Sequence, residues 1–74
     1  MSAAKKTRKP YYALKNYFRN NKITYEEIAG VLGISPNAVQ LKLNGDSDFF
    51  ISEMKVLCAY YNLSIDIFFE DEVA

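Results

Sequence analysis

The 74-residue chain has no histidine, one cysteine, two prolines and three scattered glycines. Each shortage closes a class of function. Without histidine, and with Cys58 alone, no cysteine–histidine metal cluster can be assembled, and neither metal nor cofactor is expected. Gly30, Gly33 and Gly45 are too spread out to form a loop that cradles phosphate. The lone thiol cannot close an internal disulfide, which suits a reducing cytoplasm. No apolar run approaches the roughly 20 residues that span a bilayer. The basic N-terminus lacks the apolar stretch that would follow in a secretory signal. The acids gather toward the C-terminus without a partner base, and the six tyrosines lack basic helpers. Neither acid–base nor tyrosine-nucleophile catalysis is therefore expected, and the chain reads as a non-enzyme with no small-molecule substrate and no membrane partner.

What remains is apolar and unevenly charged. Half the residues are apolar, which is enough for one small helical core and too much for a disordered tail. The net charge of zero hides a division. Residues 1–22 carry Lys5, Lys6, Arg8, Lys9, Lys15, Arg19 and Lys22 and no acid; beyond them Lys42 and Lys55 face nine acids. A nucleic-acid binder presents a basic face, and here that face must come mainly from the N-terminal part.

Residues 24–45, TYEEIAGVLGISPNAVQLKLNG, are the densest in signal. Thr24 and Glu27 form the T-x-x-E start of a helix over about 25–32, with Ile28, Val31 and Leu32 inward and Ala29 leaving room for a neighbour. Gly33 fits the left-handed position that ends it. Ser35 caps the next helix, and Pro36 takes its first position, where a missing N–H does no harm. Val39 and Leu43 point inward until Asn44-Gly45 ends it. The spacing makes a helix, a short turn and a second helix narrow enough for a DNA major groove. Before this unit, residues 1–9 read as a flexible basic arm. Pro10 marks the edge of a helix to about Asn20 with Leu14, Tyr17 and Phe18 inward, closed by a left-handed Asn20 or Asn21. After it, Asp46–Asp48 make a turn. A fourth helix runs from about Ile51 to Tyr61 on Met54, Leu57, Cys58 and Tyr61. Ser64 caps a last short helix over 65–69, and an acidic tail fills 70–74. The expectation is one all-α domain over 10–69, built from five short helices.

Three segments, ITYEEIAGVLGIS (23–35), LKLNG (41–45) and DFFISEMKVLCAYYNLSIDIFF (48–69), resemble the Cro/repressor (XRE) helix-turn-helix family. The likeness is greatest to small phage-encoded regulators of Gram-positive bacteria, and with Leu14 and Phe18 it covers about 11–69. The resemblance implies a lambda-repressor-like fold, a homodimer and a near-palindromic double-stranded operator whose occupancy controls transcription. Tyr25 stands where the family often has a phosphate-contacting glutamine. The first reading positions fall on Pro36, which cannot hydrogen-bond a base, and Asn37, which suits an adenine edge. Gln40 and Leu41 fall on further base contacts, Leu41 against a thymine methyl. Lys42 and Asn44 fall where the backbone is met. Ser35 and Thr24 sit at helix N-termini that favour phosphate. Lys5, Lys6, Arg8 and Lys9 are expected to neutralise phosphates as an arm.

Two features open a rival reading. The reading helix carries one basic residue and begins with proline, and the body of the domain is acidic. Eleven Phe and Tyr residues also exceed what so small a core can bury. Tyr17, Phe18, Tyr61 and Phe68 are expected inside. Phe49, Phe50, Tyr60 and Phe69 are expected to leave an exposed patch suited to a protein partner. On that reading the chain is a modulator, or antirepressor, that grips a cognate phage repressor. The antidote half of a toxin pair is a third class, for which no residue asks specifically.

Overall fold

The computed structural model describes residues 8–70. Among them lie four α-helices: α1 (Tyr12–Asn20), α2 (Tyr25–Leu32), α3 (Pro36–Asn44) and α4 (Ile51–Tyr61). A 3-10 turn at Ile65–Phe68 closes the domain, and no strand occurs among the described residues. The expected fifth helix is thus a single turn. Its four residues hold only i→i+3 bonds, such as Phe69 N–H to Asp66 O at 2.9 Å, and include the β-branched Ile65 and Ile67.

Local chemistry sets the boundaries. Thr24 Oγ1 accepts from Glu27 N–H (3.1 Å) at the head of α2, and Ser35 Oγ accepts from Ala38 N–H (3.0 Å) at the head of α3. Pro36 opens α3 as expected. Gly33 ends α2 in the left-handed conformation at φ 73°, and the Ile34 N–H reaches back to Ala29 O. At the end of α1 the left-handed residue is neither asparagine but Lys22, at φ 57°. The register there is fixed by Ile23, whose N–H bonds Phe18 O (2.8 Å) so that its side chain meets the core.

Tyr11, Leu14, Phe18, Ile28, Ala29, Val39, Leu43, Phe49, Met54, Leu57 and Phe68 form the core. The pairing of α2 with α3 buries Ala29, whose small side chain lets the two helices approach. Tyr17 and Tyr61, expected inside, sit at its margin half-buried; Phe18 and Phe68 are fully inside. Tyr11 was not foreseen in the core. Its ring meets Phe49 and Phe68 edge to face, with centroids 5.2 and 6.0 Å away.

Of the arm expected over 1–9, only residues 8 and 9 are described, and Arg8 meets the body. The Arg8 N–H bonds Gly45 O (3.2 Å), and the Tyr11 N–H bonds Leu43 O (2.9 Å). This lead-in therefore satisfies carbonyls that α3 leaves open at its C-terminus. The Arg8 guanidinium lies over the Tyr11 ring, 3.5 Å from its centroid. The backbone of residues 8 and 9 passes close to Gly45, with Arg8 half-buried and Lys9 exposed, while Lys5 and Lys6 lie outside the described residues. Of the expected acidic tail, Glu70 is exposed and 71–74 also lie outside them.

Candidate nucleic-acid interface

Helix α3 is held from one side. Val39 and Leu43 are fully buried, so the opposite side must face outward. Pro36, Asn37 and Gln40 are exposed there, and Leu41 keeps 41% of its surface open. These residues form one stripe at i, i+3 and i+4 spacing, ending at the half-buried Asn44. The amides of Asn37 and Gln40 offer paired donors and acceptors, and Leu41 offers an apolar contact beside them. Ser35 and Thr24, at the helix heads, are exposed, and Tyr25 is half-buried.

Lys42 departs from its expected role. It is only 8% exposed and turns inward with Val39 and Leu43. Its ammonium donates to Asp48 O (2.9 Å), pairs with Glu53 Oε1 (3.1 Å) and lies 4.4 Å from the Phe50 ring centre. The same Glu53 oxygen accepts the Phe50 N–H (2.8 Å) at the head of α4. Lys42 therefore clamps the turn from Gly45 to Phe50 and contributes no charge to the outward stripe. A signal for this existed: position 42 lies three residues after Val39, on the inner side of the helix.

Positive charge reaches the end of the stripe from α1. Lys15 Nζ donates to Asn44 Oδ1 (2.8 Å), at the far end of the stripe. Lys15 and Arg19, one turn apart, line a pocket together with Phe18, Ile23 and Tyr25. The sequence shows both as part of its basic N-terminal charge but not their meeting at one pocket.

The aromatic set expected at a protein interface divides. Phe49 is buried, its ring packed edge to face on Phe68 at 5.4 Å, and is a core residue. Phe50 and Tyr60 remain 65% and 64% exposed, and Phe69 stays partly open. Tyr12 and Ile51 add apolar surface that the sequence did not flag. Beside Tyr60, whose ring it meets edge to face, Tyr61 donates through Oη to Glu27 Oε2 (2.8 Å). Burial, then that carboxylate, holds the Tyr61 phenol well above its ordinary range. Burial also pushes the Cys58 thiol up.

Among the described residues no group of three or more His, Cys, Asp or Glu side chains could hold a metal ion. No helix there is long and apolar enough to cross a membrane. The family model described as BetR domain matches residues 16–74. No curated protein and no solved structure matches the chain.

Proposed function

The chain belongs to the BetR domain family, and from that premise we propose that it is a DNA-binding domain of helix-turn-helix type, a small transcriptional regulator that reads operator DNA with α3. The observation that carries the reading is the outward stripe of α3. The core grips this helix along Val39 and Leu43, and Asn37, Gln40 and Leu41 stand in solvent. Their chemistry suits adenine edges and thymine methyls in the major groove. The capped heads of α2 and α3, at Thr24 and Ser35, favour strand phosphates through their free N–H groups and positive dipole ends. Tyr25 adds a hydroxyl beside the first of them. A homodimer of this kind reads two half-sites about one helical turn apart. The likeness to small phage regulators of the Cro/repressor type supports the same reading.

A second reading has its own observation. The outward stripe of α3 holds no charge once Lys42 is withdrawn, while Phe50 and Tyr60 are open. That combination suits a modulator that binds a cognate repressor protein. A gel-shift assay separates the two, using the DNA upstream of the chain's own gene at low and moderate salt, with and without the repressor encoded beside it. A specific shift by the protein alone supports the operator reader. A shift that appears or vanishes only on mixing supports the modulator.

A further inference from the structure

We propose that the pocket between α1 and the start of α2 seats one phosphodiester group of a DNA strand, with Lys15 and Arg19 as its charged walls. The source of that phosphate rests on the operator-reading assignment. A groove-reading helix without a cation needs its phosphate contacts elsewhere, because these supply much of the affinity and fix the register. The outward stripe of α3 is such a helix, since Lys42 is engaged by Asp48 and Glu53. The pocket supplies what is missing. It is lined by Lys15, Phe18, Arg19, Ile23 and Tyr25 and by no carboxylate.

Its size accommodates the ligand. The volume is about 90 Å³. That is room for a tetrahedral anion, and the open mouth lets the rest of a strand stay in solvent. Phe18 and Ile23 give it an apolar wall, which strengthens charge interactions inside. The guanidinium of Arg19 has the forked donor geometry that matches phosphate oxygens. One donor of the Lys15 ammonium goes to Asn44 Oδ1, which fixes its position and leaves donors for a ligand. Asn44 is also the end of the outward stripe, seven residues after Asn37. The reading residues and the pocket are thereby joined through one hydrogen bond, so a strand bordering the groove that α3 enters meets the pocket.

The test has two arms, each on the full chain and on Arg19→Gln, which alters an exposed side chain of α1. In the first, inorganic phosphate is titrated into 15N-labelled protein at constant ionic strength, with chloride as control. Saturable shifts confined to residues 15–25, lost in Arg19→Gln, are expected. No such shifts, or equal shifts with chloride, overturn the pocket. In the second, duplex binding is measured against salt. Arg19→Gln is expected to flatten the slope of log K on log salt by about 0.9, with equal loss on specific and unrelated sequences. An unchanged slope overturns the pocket and leaves the operator reader standing. Phosphate binding in a chain that binds no duplex overturns both the operator reader and the phosphodiester assignment.

Discussion

Lys42 shows how far one side chain can lie from its apparent role. On the helix surface it would be a cation aimed at phosphate; in the fold it is a clamp between α3 and the head of α4. Replacing it by methionine leaves Glu53 without its counter-ion, so Lys42→Met is expected to lower unfolding stability in urea by about 2 kcal/mol. Adding Glu53→Gln should recover part of that loss, because the two residues act as one unit. The salt dependence of DNA binding should stay the same in Lys42→Met, which a phosphate contact would not allow. At Asn37 the expectation reverses. Asn37→Ala should leave stability within about 0.5 kcal/mol of the parent, as an exposed substitution does. It should weaken binding to the specific site by about 1–3 kcal/mol while sparing unrelated DNA, as measured by competition gel shift. An equal loss on both sequences would remove Asn37 from the reading role.

At the scale of elements, sequence and structure agree at the ends of α2 and α3, where the signal is local, whereas the left-handed turn after α1 falls on Lys22 and the expected last helix is one 3-10 turn. The bounds of α2 and α3 follow from Thr24, Gly33, Ser35 and Pro36, each acting on backbone within a few residues. Distant pairing was hidden. Phe49 and Phe50 are neighbours in a non-helical stretch, and no period says which one turns inward. The structure buries Phe49 against Tyr11 and Phe68, from the opposite ends of the chain. Tyr11 caps α1 and lies three residues before Leu14 and seven before Phe18, so its place in the core was legible as a continuation of that helix's inner stripe. The Lys15–Arg19 pocket is a meeting of α1 with the turn after it, and the sequence shows only two of its walls as charges. Two glycines test the element ends. Both Gly33 and Gly45 have positive φ, but a side chain at Gly33 meets open space, whereas one at Gly45 collides with the Arg8 carbonyl oxygen. Gly33→Ala is expected to cost about 1 kcal/mol from backbone strain alone. Gly45→Ala should cost more than about 2 kcal/mol and free the lead-in from the end of α3. Urea titrations of the two variants check the order, and equal losses would contradict the docked lead-in.

At the scale of the whole molecule, α2 and α4 are tied by the hydrogen bond from Tyr61 to Glu27. Folding holds the Tyr61 phenol above its ordinary value, mainly through burial and then through the Glu27 carboxylate. Above a pH of about 10, where an unfolded tyrosine ionises, the unfolded chain holds fewer protons than the folded one. This group's stabilisation is therefore complete below that pH and is lost as pH rises beyond it. Tyr61→Phe should lower stability by about 1 kcal/mol near neutrality and reduce the alkaline loss, as read by thermal melts from pH 7 to 11. A Tyr61→Phe chain with the same alkaline profile as the parent would contradict the assignment. The charge of the molecule is also divided, with basic residues on the lead-in and α1 and acids along the later elements. That division places the positive field beside α3 through Lys15 and Asn44. The central claim is that α3 offers its outward stripe to DNA, and an NMR titration of the full chain with the duplex upstream of its own gene tests it most directly. The account predicts the largest shifts at Asn37, Gln40 and Leu41, with Phe50 and Tyr60 unmoved. Shifts centred on Phe50 and Tyr60 with α3 silent, or none at all, would contradict it.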